Sequence, residues 1–344
     1  MIRKLLLVAA IAALSLNAST GHAQVTLTGA GSTFAYPLYS SWASEYHKLH
    51  SNVQVNYQSI GSGGGIRQVS TGTVDFGGTD GPMNDAQLAE AKSHLGADIL
   101  HFPTALGADV PTYNIPGVSV ELNFTQDALA GIFLGKISKW NDPEIQKANP
   151  NVKLPGNDIV VIHRSDGSGT TYVWVDYLAK VSPEWKSKVG VGTSVAWPVG
   201  LGGKGNEGVS GLVKQTSNAI GYVELIYAIQ NHLSYGEVRN SSGTFIKADL
   251  DSVTAAAAAA EKSIPSDFRV SITDAPGKSA YPISSFTWML VPKDMRDKTK
   301  GAALKAFLIW GLTDGQKLTA PLSYSRVPES IIAKEMQTIK QLQY

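Results

Sequence analysis

The stretch Arg164-Ser165-Asp166-Gly167-Ser168-Gly169-Thr170 separates two patterns that belong to different elements. Before it, Asp158-Ile159-Val160-Val161-Ile162 is β-branched and apolar, the composition of a buried strand. After it, Thr171 to Lys180 places Tyr172, Val173, Val175, Leu178 and Ala179 at roughly helical spacing. A strand is therefore predicted to end at His163 and Arg164, a Gly/Ser loop to turn, and a helix to start near Ser168. A helix start leaves backbone N–H groups without acceptors at the positive end of the dipole, which suits an anion. Ser168 and Thr170 add hydroxyls, the glycines admit close approach, and Arg164 adds a fixed charge shaped for oxyanions. The same residues also read as an ordinary capped helix with Arg164 paired to Asp166. From this stretch alone both readings stand.

The same succession recurs upstream. Val25-Thr26-Leu27-Thr28 alternates as a strand, and Gly29 to Phe34 is a small-residue loop. A helix follows from about Pro37, with Leu38, Trp42, Ala43 and Tyr46 on one face. Val53 to Tyr57 alternates again, and the loop Gly61-Ser62-Gly63-Gly64-Gly65 leads into a helical Ile66 to Ser70. Val74 to Asp80 is a further strand edge and turn. Such alternation predicts an α/β fold with a mostly parallel sheet. Gly208 to Gln215 reads as a helix behind a glycine-rich loop, and Ala219 to Val223 and Phe286 to Val291 read as strands. Thr254 to Lys262, with six consecutive alanines, reads as a surface helix. Between Thr104 and Pro116 the periodicity fails, which marks a candidate crossing between domains.

The basic start Met1-Ile2-Arg3-Lys4, the uncharged apolar run Leu5 to Leu16 and the small residues up to Ala23 have the form of a secretory leader cleaved after Ala23. Its apolar core is shorter than the ~20 residues of a membrane span. The 344 residues contain no cysteine, which excludes disulfides, thiolate metal sites and a cysteine-linked lipid anchor. Residues 24–344 are long enough for two domains. Loss of Arg3 and Lys4 with the leader turns the formal net charge from +1 to −1. That balance argues against a nucleic-acid partner and leaves any anion affinity to a local site.

Other chemistries find little support. Gly200 to Gly205 and Gly203 to Gly208 both fit a dinucleotide fingerprint, but neither follows a clear strand at the right spacing. Ser62 and Ser168 lack the glycine two positions earlier that a nucleophile elbow requires, and the residues near Ser168 are an arginine and an aspartate, with no obvious base. The histidines outside the leader never fall at a metal-ligand spacing with an adjacent acid, so no metal or cofactor is expected. Asp80, in a Gly/Thr turn after a strand, first reads as a turn-forming residue. A carboxylate only accepts hydrogen bonds, so in an anion site it would suit an oxyanion that carries a proton and repel one that does not.

Taken together, four segments resemble one family. They are Thr28-Gly29-Ala30-Gly31-Ser32-Thr33-Phe34, Ile60-Gly61-Ser62-Gly63-Gly64-Gly65, Val74-Asp75-Phe76-Gly77-Gly78-Thr79-Asp80 and Arg164 to Thr170. With Lys139-Trp140-Asn141-Asp142, Trp197 to Asn206 and Ile220-Gly221-Tyr222-Val223-Glu224, they resemble the periplasmic phosphate-binding proteins of bacterial high-affinity phosphate ABC transporters. The likeness runs from about residue 26 to the end and is weakest between Ser234 and Pro282.

The resemblance implies a two-lobed α/β receptor of the type II-like periplasmic binding protein fold, each lobe a mixed sheet flanked by helices. Ligand would sit in the cleft between residues 24–105 plus 283–344 and residues 106–282. It implies phosphate contacts from Thr33, Phe34 through its backbone, Ser62 and Asp80 on one side, and from Arg164, Ser168, Gly169 and Thr170 on the other. Asp166 would hold Arg164, and Asp80 would accept the proton of the bound phosphate, which reverses its first reading. The implied partners are the membrane permease and ATPase subunits of the transporter, with the receptor itself a periplasmic monomer, cofactor-free and not an enzyme. The rival readings are a secreted phosphatase on the same cleft and a receptor for another oxyanion such as sulfate.

Overall fold

The computed structural model describes residues 24–344; the leader expected over residues 1–23 lies outside them. Val25–Gly31 (β1) leads to Tyr36–Leu49 (α1), Val53–Ser59 (β2) to Ser62–Ser70 (α2), and Phe76–Thr79 (β3) to Asp85–Leu95 (α3). Ile99–Asn114 (β4) is a single strand of 16 residues. Then come Gln126–Phe133 (α4), Val160–Arg164 (β5), Gly169–Val181 (α5), Leu201–Gly203 (β6), Gly205–Gln215 (α6), Ala219–Glu224 (β7) and Leu225–Gln230 (α7). Ser234–Tyr235 (β8), Leu250–Ala260 (α8), Ser284–Pro292 (β9), Lys298–Leu312 (α9) and Glu329–Ile339 (α10) complete the main elements.

Nine strands join in the order β2-β1-β3-β9-β4-β7-β5-β6, with β8 also paired to β4. The outer pairs are parallel, β1 with β2 and β3, and β5 with β6 and β7. The centre is antiparallel: β9 runs against β3 and β4, and β4 runs against β7. The sheet is therefore mixed, where the sequence pattern predicts a mostly parallel one. The antiparallel centre has two sources: β9, which returns from the far end of the chain to lie between β3 and β4, and the pairing of β4 with β7. Alternation along the chain carries no sign of either.

Strand β4 belongs to both halves of the molecule. Ile99 to Ala108 pair with β9, and Asp109 to Asn114 pair with β7. Its residues are buried almost without exception on both faces, so no polar alternation marks it. That burial is why Thr104 to Pro116 shows no periodicity although its residues up to Asn114 are regular strand. The register shifts opposite Thr287 and Trp288, which leaves Thr104 between the paired Pro103 and Ala105. A bulge is where a sheet tolerates proline.

Two helices start earlier than their apolar pattern suggests. Helix α2 includes Ser62 to Gly65 as its first turn. A Cβ at Gly65 would lie 2.5 Å from Gly31 Cα and 2.6 Å from Ala30 O, so only glycine lets this helix lie directly on β1. Helix α8 starts at Leu250 because Asp249 caps it, accepting from Ser252 N, and Val253, Ala256 and Ala257 are buried. The alanine run is thus half interior, packed by its small side chains.

Each half has an aromatic core. Trp42 packs against Tyr39 and Phe307 in one, and Trp174 stacks on Tyr222 with Phe133 against both in the other. Side chains of this kind contribute about 1.5–3 kcal/mol each when fully buried. They hold the strand ends that carry the polar residues described next.

Candidate oxyanion-binding site

Four strand-to-helix turns converge: β1 to α1, β2 to α2, β5 to α5 and β6 to α6. Asn206, in the first turn of α6, links three of them. Its Nδ2 donates to Thr33 Oγ1 at 2.8 Å and to Thr170 Oγ1 at 3.0 Å, and its Oδ1 accepts from Glu224 N at 3.0 Å. The start of α2 meets the loop before α5, where Gly63 N donates to Gly167 O at 2.9 Å. Tyr227 Oη donates to Thr33 O at 2.6 Å, and Tyr324 Oη to Phe34 O at 2.5 Å, which fixes the entry to α1.

Ser168 caps α5, its Oγ accepting from Thr171 N at 2.9 Å. Arg164 Nε and Nη2 donate to Asp166 Oδ1 and Oδ2 at 2.8 and 2.6 Å. Asp166 Oδ1 also accepts from Gly205 N at 3.0 Å. The ordinary reading of this stretch, a capped helix and an ion pair, is present in full, yet it leaves one group unused. Arg164 is 3% exposed, and its Nη1 is buried with no hydrogen-bond partner among the described residues. Burial works against the guanidinium charge, and the Asp166 carboxylate more than offsets it, so the charge is secure. Asp166 is pushed up by burial but held below its ordinary value by Arg164.

Asp80 stands at the end of β3 and is 1% exposed. Its Oδ1 accepts from Ser32 Oγ at 2.5 Å and from Thr287 Oγ1 at 2.7 Å. Its Oδ2 accepts only a long bond from Ser62 Oγ at 3.3 Å. Burial pushes this carboxyl up to about 6, against the pull of the Ser32 and Thr287 hydroxyls and the Arg164 charge. Gly169 closes against it: a Cβ there would lie 2.3 Å from Asp80 Oδ2 and 2.4 Å from Ser62 Oγ. The residues singled out from sequence on the two halves are thus brought into one buried cluster, with Thr33, Ser62 and Asp80 facing Arg164, Ser168, Gly169 and Thr170.

A PBP superfamily domain matches residues 17–314. The phosphate-binding protein PstS of Xylella fastidiosa is 46% identical over 309 residues, covering 90% of this chain and 83% of that protein. PstS of Pasteurella multocida is 44% identical over 310 residues, covering 90% and 88%. The chain belongs to the PstS family of phosphate-binding proteins. A high-affinity periplasmic phosphate-binding protein, PfluDING, solved with phosphate bound, superposes with a TM-score of 0.73 at 20% identity, covering 91% of this chain and 93% of that one. An ABC-type phosphate transport receptor from Vibrio cholerae gives 0.55 at 20% identity, covering 88% and 100%. These structures share the two-lobed fold.

Sequence reasoning missed several members of this PstS cluster. Asn206 ends the segment Trp197 to Asn206, and nothing in the sequence marks its role, because β6 has only three residues and the turn into α6 reads as a glycine-rich loop. Ser32 and Thr287 both hold Asp80, and Thr287 is 207 residues away along the chain. Only the pairing of β9 with β3 brings it there, so no local signal exists.

Proposed function

We propose that this PstS-family chain binds inorganic phosphate between its two lobes by hinge closure and delivers it to the permease of an ABC transporter, itself driven by ATPase subunits. The lobes are residues 24–105 plus 283–344 and residues 106–282. The contacts are Thr33, Phe34 through its backbone, Ser62, Asp80, Arg164, Ser168, Gly169 and Thr170, with Asp166 orienting Arg164. The protein acts in the periplasm, after cleavage of the leader behind Ala23, as a monomer and without catalysis.

One observation carries this reading: a buried cation with a free Nη1 and a buried carboxylate with a nearly free Oδ2 face the same converging helix starts. Hydrogen bonds to the Arg164 fork and the helix N-termini suit any oxyanion. Asp80 restricts the choice to one with a proton to give, because acceptor would otherwise face acceptor in a dry space. That disfavours sulfate. A phosphatase would need a nucleophile with a positioned base. Ser168 Oγ accepts from Thr171 N, and Thr33 and Thr170 Oγ1 accept from the Asn206 amide, which leaves their hydroxyl hydrogens to donate to an anion but sets no base on them among the described residues. Ser32 and Ser62 donate to Asp80, the carboxylate this reading keeps for the proton of the ligand. The test is Arg164→Ala, followed by phosphate titration and by melting of the unliganded protein. A charged hydrogen bond is worth about 1.5–3 kcal/mol, so affinity should fall roughly 10- to 100-fold. Unchanged affinity would remove Arg164 from the site, and sustained phosphate release from a phosphomonoester would favour the hydrolase.

A further inference from the structure

Asp109 lies where β4 changes partner, directly opposite Glu224 of β7, and is fully buried. Both of its carboxyl oxygens are buried without a hydrogen-bond partner among the described residues. Residues two apart on a strand share a face, so Asp109 points to the same side as Gly107. A Cβ on Gly107 would lie 2.6 Å from Phe34 Cζ and 2.9 Å from Glu224 Oε1, which puts the Phe34 ring and the Glu224 carboxyl on this face of β4. The groups acting on Asp109 come from several elements. It interacts electrostatically with Asp80 at the end of β3, Arg164 at the end of β5, and Glu224 and Tyr222 of β7. Tyr281, ahead of β9, donates its hydroxyl to the Asp109 carbonyl at 2.9 Å. Just ahead of α1, the apolar Phe34 ring lies against the same face at Gly107.

The charge count limits what Asp109 can be. Arg164 is already matched by Asp166, and Asp80 supplies one negative charge. Ionised Asp109 and Glu224 would add two more next to an incoming anion, and buried neighbouring carboxyls do not both ionise. Burial also pushes both well above the ordinary carboxylate range. Glu224 has a partial partner, since its Oε2 accepts from Ile226 N at 2.8 Å. Asp109 has none. A protonated carboxyl is a donor, and a buried donor needs an acceptor that the described residues do not give it.

We propose that Asp109 stays in its neutral acid form and donates its carboxyl hydrogen to the bound oxyanion, as a specificity-determining contact opposite in sense to the one Asp80 accepts. This rests on the oxyanion reading of the cleft. A hydrogen phosphate would then donate a hydrogen bond to Asp80 through its own O–H and accept one from Asp109. The same use of a carboxylic acid as a neutral donor is known in an oxyanion hole.

The experiment titrates inorganic phosphate into wild-type protein, Asp109→Asn and Asp109→Val near neutral pH, with melting of each unliganded protein as the folding check. The amide keeps a donor, so Asp109→Asn should bind within a few-fold of wild type. Valine has none, so Asp109→Val should bind roughly 10- to 100-fold more weakly. If Asp109 instead shares its proton only with Glu224, or is ionised and merely repels, the two variants change together, or not at all, and the proposal fails. Should a variant not fold, infrared difference spectra of wild type with and without phosphate decide. A protonated-carboxyl stretch that shifts on binding supports the donor, and no such shift overturns it. Absence of phosphate binding by the wild type would overturn the oxyanion reading as well, whereas wild-type binding with unaffected Asp109→Val overturns this inference alone.

Discussion

Asp80 and Arg164 enter the same dry space with opposite charge, and each is held for a different task. Arg164 is locked by Asp166 so that one nitrogen remains for a ligand, and Asp80 is braced by Ser32 and Thr287 so that one oxygen remains. The Asp80 carboxyl is raised to about 6, so above that value it is ionised and only accepts, and below it carries a proton and can donate. The expected outcome is that sulfate competes more effectively with phosphate as pH falls through about 6. In Asp80→Asn, whose amide donates at every pH, sulfate should compete well throughout. Competition titrations well below and well above that value check both, and a pH-independent ratio in the wild type would count against the role of Asp80. At this scale the sequence was legible wherever a residue announces its chemistry in its own loop, as Arg164, Asp166 and Asp80 do. It was silent on Thr287 and Asp109, whose positions depend on sheet register.

Helix starts are the working elements, and their packing is tight enough to test. Gly169→Ala would place a Cβ 2.3 Å from Asp80 Oδ2, a contact that forces the start of α5 away from the end of β3. Phosphate affinity should drop about tenfold or more, and the melting temperature without ligand should change little, since the strain falls between halves and not inside one. Unchanged affinity would show that the two turns need not meet. A second element carries an internal cost. Glu335 in α10 is fully buried with both carboxyl oxygens unpartnered among the described residues, and burial alone pushes it well above its ordinary value. Its folded pKa exceeds its unfolded one, so its share of stability is whole below the unfolded value and is lost as pH rises toward the folded one. Glu335→Leu should stabilise the protein by about 1–3 kcal/mol at neutral pH and flatten that decline. Denaturant unfolding across a pH series measures it. Amphipathic helices and alternating strands were readable from their period. Strand β4 and the first turn of α2 were not, because a doubly buried strand has no alternation and a glycine run looks like loop until its packing is known.

At the scale of the molecule, β4 is the shared beam, and a set of contacts joins the halves across the cleft. Gly63 with Gly167, Thr33 with Asn206, and Arg269 Nη1 with Met83 O and Asp85 Oδ1 at 2.9 and 2.8 Å all join residues far apart in sequence. None of these contacts could be read from composition. The two-lobed architecture is implied by a family resemblance, carried by four loop motifs whose fixed order is specific where each alone is common. The near-neutral charge of residues 24–344 leaves no long-range field to gather anions, so selectivity has to reside in the cleft. Calorimetric titration of the leaderless chain with phosphate, then with sulfate, at a pH well above the Asp80 value tests this most directly. The account predicts one phosphate bound per chain and no measurable competition from sulfate. Equal binding of the two anions, or no binding of phosphate, would contradict it.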